Sequence, residues 1–122
     1  AFKPIYVAGV SRTTEASISD AVEDYKLPRT RTIRYMDVGN LALQVLENRI
    51  DKCILMKKSV KYGTCAAEAV LLAAGAAVTD IEGKRMKYDA EASPTNGPLV
   101  VTNDPKEHIQ TVKIGKFFSS ML

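Results

Sequence analysis

Residues 62–89 read YGTCAAEAVLLAAGAAVTDIEGKRMKYD, and this stretch decides the fold. Thr64 is placed to open a helix, with Glu68 in its first turns and Ala66, Ala69, Val70, Leu72 and Ala73 along it. Gly75 closes it, as glycine suits the left-handed conformation at a helix end. Val78 to Ile81 then reads as a strand stopped by the Glu82-Gly83 turn, and Met86 to Tyr88 is expected to return beside it as a hairpin. A strong alanine-rich helix followed by a short strand is one beat of an α/β alternation.

The beat repeats upstream. Pro4 to Val10 (PIYVAGV) is short, apolar and β-branched, the signature of a buried strand, and it ends at the turn Ser11-Arg12-Thr13-Thr14. Thr14 or Ser17 caps a helix whose Ile18, Ala21, Val22 and Tyr25 recur at helical spacing until Pro28 stops it. Arg29 to Tyr35 alternates as a strand, and Asp37 to Ile50 carries Val38, Leu41, Ala42, Val45 and Leu46 on one helical face, with Asp37 as N-cap. Cys53 to Met56 is a further strand, and residues 57–63 (KKSVKYG) form a basic loop. Downstream, Ala92 to Pro98 reads as loop and Leu99 to Thr102 as the last strand. Asp104 with Pro105 starts a terminal helix through His108, Ile109, Val112 and Phe117, in which Gly115 is a candidate break. No repeat or low-complexity linker divides the chain, so residues 1–122 are expected to form a single α/β domain.

Composition is ordinary for a globular domain. The 122 residues (13.3 kDa) carry 17 Lys+Arg against 14 Asp+Glu, a net charge of +3, with 25% charged and 46% hydrophobic residues. These values exclude a disordered tail or a collagen-like chain. A sequence pI near 8.9 without a dense basic stripe leans only mildly towards polyanions. Two cysteines, Cys53 and Cys65, are too few for a disulfide framework and are expected to be thiols in a reducing intracellular compartment, the cytoplasm or an organelle matrix. The longest uncharged apolar stretch, Ala69 to Val78, falls short of the ~20 residues that span a bilayer, so no membrane association is expected. The opening AFKP has neither an initiator Met nor a signal-peptide pattern, and a processed or partial product is expected.

Few residues stand out as chemistry. His108 is the single histidine; it cannot build a multi-histidine metal site, and it is expected on the surface of its helix. A thiol–imidazole pair with Cys65 requires the fold to join them. Asp20, Glu23 and Asp24 fall on the polar face of their helix and read as solvated rather than as a metal cluster. There is no Walker loop and no G-x-G-x-x-G; Gly9, Gly39 and Gly75 are isolated punctuation. Arg29, Arg31 and Arg34 with Lys57, Lys58 and Lys61 would make a phosphate-binding patch if strand and loop lie adjacent, and otherwise a solvated surface.

The stretch Tyr62 to Asp89 resembles the inositol monophosphatase superfamily, most closely its bisphosphate nucleotidase and inositol polyphosphate 1-phosphatase branch. Thr64, Cys65, Ala66, Glu68 and Ala69 match a Trp-Asp-Thr-Cys-Ala-Pro-Glu-Ala helix start. Ala74 and Gly75 match the beginning of Ala-Gly-Gly, and Thr79, Asp80, Gly83 and Tyr88 match the strand and turn that follow. Val10-Ser11-Arg12 looks like the family's Thr-Thr-Arg-Ser strand end, Val38-Gly39-Asn40 like its Gly-Ala-Gly-Asn-Lys helix start, and Asn96-Gly97 with Leu99 to Thr102 like its Asn-Ser-Ala-Gly-Val-Leu-Ala-Thr strand. The resemblance implies a mixed β-sheet flanked by helices, as in the C-terminal domain of the sugar-phosphatase fold.

In that family the region is the C-terminal half of a longer protein whose N-terminal half holds the acidic Glu and the D-P-[IL]-D-G-T motif. This chain has no such motif; Asp104-Pro105, followed by Lys106-Glu107, is a decoy. Gly63 stands where the family has its last metal-ligand Asp, and glycine offers no side-chain oxygen to Mg2+. Leu41 replaces a substrate-contacting Lys, and Thr13-Thr14 replaces a Ser-His pair. Packing residues persist while metal ligands are missing, so no cofactor is expected and no residue is assigned as catalytic or metal-binding.

The leading expectation is therefore a non-catalytic, phosphatase-like domain serving as an interaction or structural subunit, with a protein partner or a second copy covering the surface of the absent half. One alternative is the C-terminal half of a magnesium-dependent 3'(2'),5'-bisphosphate nucleotidase or inositol polyphosphate phosphatase. A further alternative is a phosphate or RNA binding module using Arg12, Thr13, Thr14, Lys57, Lys58 and Lys61.

Overall fold

The apolar segments become the strands of one sheet. In a computed structural model of the chain, residues 4–9, 12–26, 30–33, 38–56, 59–86, 95–96 and 98–121 are described; for residues 12, 14, 59–63, 95–96 and 121 this holds for the backbone alone. Strands β1 (Ile5–Ala8), β2 (Thr30–Ile33) and β3 (Lys52–Leu55) are joined by helices α1 (Arg12–Asp24) and α2 (Val38–Leu46). After β3 come a short strand β4 (Ser59–Val60), helix α3 (Lys61–Ala73), β5 (Ala77–Asp80), a short β6 (Thr95–Asn96) and β7 (Leu99–Thr102). Asp104 caps a 3-10 turn at Pro105–Glu107 by accepting from Lys106 N, and the turn feeds α4 (His108–Met121).

The main sheet has the order β2-β1-β3-β7-β5. β1 runs parallel to both β2 and β3, and β7 is antiparallel to both β3 and β5, so the sheet is mixed as the resemblance implied. Alternation along each strand divides the core into two layers. Ala8, Cys53, Leu55, Val78, Leu99 and Val101 face α2 and α3, meeting Leu41, Val45, Ala67 and Leu71. Ile5, Val7, Ile54 and Val100 face α1 and α4, meeting Ile18, Ala21, Val112, Ile114 and Phe118. Helices thus cover both faces of this mixed sheet and bury its two sides.

Several boundaries depart from expectation. α1 begins at Arg12, so Thr14 and Ser17 lie inside the helix rather than capping it, and Ser17 Oγ donates back to the Thr13 carbonyl at 3.2 Å. α2 stops at Leu46, where Asn48 takes a left-handed φ of 60° and turns the chain before Ile50; Asp37 lies outside the described residues. α3 starts at Lys61, making Lys61 to Gly63 its first turn rather than a loop. Ser59–Val60 pairs antiparallel with Thr95–Asn96, giving a two-stranded ribbon where two loops were expected.

The buried face of α3 is also shifted. Thr64, Ala67, Glu68 and Leu71 are buried, while Ala66, Ala69, Val70 and Ala73 are exposed. An alanine-rich helix carries little hydrophobic contrast, so its phase is weakly written in the residues. Of the expected return strand, Met86 lies outside any strand, and residues 87 and 88 are outside the described residues. The turn after β5 closes locally instead, with Asp80 N donating to the Lys84 carbonyl at 2.8 Å and Gly83 at φ 83°. Gly115 does not break α4. A Cβ there would come within 2.8 Å of Ile81 Cδ1 and 3.5 Å of Ile54 Cδ1, so glycine lets the helix lie close on the sheet. No helix among the described residues is long and apolar enough to cross a membrane.

Candidate functional site

Strand order places the candidate residues. β1 lies between β2 and β3 with the same direction, and the three strands end side by side: Gly9 N donates to the Ile33 carbonyl at 3.0 Å, and Met56 N to the Ala8 carbonyl at 2.9 Å. From this carboxyl edge α1 returns over one face of the sheet and α2 over the other. The connection after β1 leads to β2 on one side and the chain after β3 leads to β7 and β5 on the other, which creates a crevice outside the ends of β1 and β3, the place where open α/β sheets characteristically bind ligands.

The segment after β1, residues 9–14 (GVSRTT), and the segment after β3, residues 56–63 (MKKSVKYG), both start at this edge. Arg12, Thr13 and Thr14 therefore share an edge with the segment carrying Lys57, Lys58 and Lys61, although more than forty residues of chain separate the two groups. Thr13 is exposed in the first turn of α1. The side chains of Arg12, Thr14 and Lys61, and Lys57 and Lys58 entirely, lie outside the described residues. α1, α2 and α3 each begin on the carboxyl side of the strand before them, so their positive dipole ends and unpaired N–H groups favour negative charge at this edge.

Arg31 does not join this group. It is exposed in the middle of β2, in register with Tyr6, and β1 separates its strand from β3. The patch of Arg31 with the lysines is corrected on that ground; Arg29 and Arg34 lie outside the described residues.

Of the motif residues, Gly63 lies in the first turn of α3, Thr64 is buried, and Cys65 and Ala66 are exposed. Glu68 is buried, with Oε1 3.7 Å from Arg85 Nη2 and Oε2 without a hydrogen-bond partner. Asp80 organises the turn after β5, its Oδ1 accepting from the backbone N of Glu82 at 2.8 Å and of Lys84 at 2.9 Å. Asp104 serves as a helix cap.

His108 is buried rather than on the surface. It opens α4 on the face turned to β5 and β7, where Nε2 lies 2.6 Å from Thr79 Oγ1 and Nδ1 2.8 Å from Thr102 Oγ1. Both ring nitrogens are engaged, so neither is available to the Cys65 thiol. Burial pushes its pKa below 6.5. Burial likewise pushes the Cys53 thiol up to about 12, which leaves it unreactive.

Two of the segments that start at this edge are basic in sequence, whereas the one after β2, residues 34–37 (RYMD), carries Asp37 beside Arg34. Segments 9–14 and 56–63 contain Arg12, Lys57, Lys58 and Lys61 and no carboxylate. Mg2+ is held by oxygen ligands, commonly carboxylates, and these two segments supply none. Among the described residues there is no group of three or more His, Cys, Asp or Glu side chains able to hold a metal ion.

No family model matches the chain. Over 70 residues, 57% of its length, it is 32% identical to the rat protein 3'(2'),5'-bisphosphate nucleotidase 1, of which it spans 23%. Its fold is similar to that of CysQ from Bacteroides thetaiotaomicron, a bacterial member of the inositol monophosphatase family, with a TM-score of 0.56 at 19% identity, over 84% of this chain and 38% of that one. In sequence, over part of its length, this chain is therefore similar to a bisphosphate nucleotidase, and in fold to part of a bacterial member of the inositol monophosphatase family.

Proposed function

We propose that the chain is a non-catalytic inositol monophosphatase-like domain that serves as an interaction or structural subunit of a larger assembly in a reducing compartment. The observation that carries this reading is the make-up of the carboxyl edge: the segments after β1 and β3 bring cations and no carboxylates, and Gly63 stands where the family places a ligand. Hydrolysis of a phosphomonoester in this family needs metal to activate water and to neutralise the leaving oxygen. Segments without a carboxylate after β1 and β3 support binding rather than turnover.

Phosphate release from an adenosine 3',5'-bisphosphate or an inositol phosphate, followed with and without Mg2+, tests the reading. The expected result is no release by the chain alone or by the gently purified native particle. Release by the particle would replace this reading with a second one, the C-terminal part of a split or longer nucleotidase. The 70-residue identity to a bisphosphate nucleotidase favours that second reading.

A third reading, phosphate or RNA binding without hydrolysis, draws on the basic segments and the helix N-termini at the carboxyl edge. It predicts affinity for a 3',5'-bisphosphate or a short RNA that falls steeply with salt. Affinity that is identical at low and high salt would remove it.

A further inference from the structure

The turn after β5 and one stripe of α4 face each other across a cleft of about 320 Å3, lined from the turn by Glu82 and Gly83 and from the helix by Ile109, Val112, Lys113 and Lys116. The four helical residues recur at i, i+3, i+4 and i+7, which puts them on one side of α4. Gly83 takes a φ of 83°, and a Cβ there would lie 3.8 Å from Val112 Cγ1, so the glycine leaves the turn side of the cleft open. The chain then leaves the turn towards the other face of the sheet, where Arg85 reaches Glu68 of α3 and Met86 packs on the α2–α3 layer.

Most polar groups around the cleft are already engaged. His108 borders it, but both ring nitrogens are held by Thr79 and Thr102. Asp80 Oδ1 accepts from the backbone N of Glu82 and of Lys84. Lys116 Nζ donates to Glu82 Oε2 at 3.0 Å, which joins turn to helix and neutralises both charges. Lys113 is exposed and has no ion-pair partner among the described residues, so the lining keeps one uncompensated positive charge. Beside it Ile109 is 72% exposed, an isoleucine left in water at the margin of the cleft, and the lysine stems add further apolar surface. Apolar walls with one or two placed polar groups are the usual construction of a small-molecule site.

We propose that this cleft binds a small amphipathic monocarboxylate, with its carboxylate on Lys113 and its apolar body over Ile109 and Val112. The other classes of ligand fit less well. An inorganic phosphate dianion leaves the apolar wall uncovered and meets the Glu82 carboxylate, and an organic cation meets Lys113. A neutral apolar molecule leaves Lys113 without a counter-charge. The carboxyl terminus of a protein chain would lay its amide groups unpaired against Ile109 and Val112, which disfavours it relative to a free acid. The site uses neither of the carboxyl-edge segments on which the proposed functions rest, so it stands or falls apart from them.

Titration of the full chain with octanoate, followed through its backbone amide NMR signals, tests the proposal. Saturable shifts are expected at Gly83, Ile109, Val112 and Lys113, with a Kd of about 1 mM or tighter, the range open to a ligand of about ten non-hydrogen atoms. Octan-1-ol, octylamine and inorganic phosphate should each bind about threefold more weakly or worse, as expected when one exposed ion pair sets the preference. Lys113→Gln should abolish the preference for octanoate over octan-1-ol, and Ile109→Ser should weaken both ligands. Both residues are exposed, so the variants should keep the native amide spectrum away from the cleft. No saturable shift, shifts centred instead on Leu43 and Val70, octylamine binding as tightly as octanoate, or a preference that survives Lys113→Gln would each overturn the proposal. Tighter binding of acetyl-Ala-Ala-Leu with a free carboxylate would also overturn it, in favour of a chain terminus.

Discussion

His108 Nε2 donates its proton to Thr79 Oγ1 across 2.6 Å, and the direction of that bond follows from what the threonine does next. Thr79 Oγ1 donates its own proton to the Asp80 carbonyl at 3.0 Å, so it can only accept from the ring. Nδ1 is then the acceptor, and it takes the Thr102 hydroxyl proton at 2.8 Å. The site holds a neutral imidazole, and a second ring proton would compete with the Thr102 hydroxyl for the same direction.

Stability should therefore fall in mild acid. The folded pKa of His108 lies below its value of 6.5 in the unfolded chain because burial disfavours the cation. Between those two values the unfolded state binds more protons, so this contribution is fully present above about pH 6.5 and is lost as pH falls towards the folded pKa. Urea midpoints measured between pH 7.5 and pH 5 should show this loss in the native sequence and a shallower one in His108→Gln. Equal slopes would show that His108 is not the group responsible.

The two cysteines should separate cleanly in a thiol assay. Cys65 is exposed on α3, whereas Cys53 is buried in β3 with its thiol pushed up to about 12. One equivalent of an aromatic disulfide reagent should react within seconds to minutes at pH 8, and the second only after denaturation. Rapid reaction of both would mean that β3 is not buried as described.

Gly115 should tolerate alanine and reject valine. Alanine recovers about 1 kcal/mol of helix propensity but brings its Cβ to 2.8 Å from the end of the Ile81 side chain, which can turn away. Valine adds two methyls against Ile81 and Ile54 and should cost about 1–3 kcal/mol by overpacking. Urea unfolding of both variants measures this; a neutral Gly115→Val would place α4 farther from the sheet.

Glu68 and Arg85 should show strong non-additivity. The Glu68 side chain is 6% exposed and lies 3.7 Å from Arg85 Nη2, and its Oε2 has no hydrogen-bond partner among the described residues. Arg85→Ala leaves a buried carboxylate alone and should destabilise by roughly 1–3 kcal/mol, whereas adding Glu68→Met to it should recover most of the loss. Additive losses in the double variant would argue against coupling.

Much of this architecture is legible in local sequence. PIYVAGV, CILM and LVVT are short and β-branched or apolar because their strands are buried on both faces, and the helices between them follow from Ile18, Ala21, Leu41 and Val45 at helical spacing. Ser59–Val60 and Thr95–Asn96 are too short to leave a periodic signal and exist through pairing with each other. The burial of His108 is set by the β5–β7 pairing, which places Thr79 and Thr102 under the start of α4, and nothing in the local sequence DPKEHIQ reports it. That the segments after β1 and β3 start at one edge of the sheet likewise comes from strand order. The resemblance at Tyr62 to Asp89 pointed to the relatives but not to the phase of α3, whose alanines are too alike to say which face turns inward.

The position of β7 sets the order in which the molecule can be completed. β3 and β5 are made earlier in the chain, yet neither gains its antiparallel neighbour until Leu99–Thr102 has been synthesised and threaded between them. A ribosome adding ~5–20 residues per second leaves the β3 edge open for several seconds after Leu55 appears. During that interval the nascent parallel unit exposes the backbone of an apolar strand, and a product ending before Leu99 would keep that edge bare, open to any other strand that reaches it.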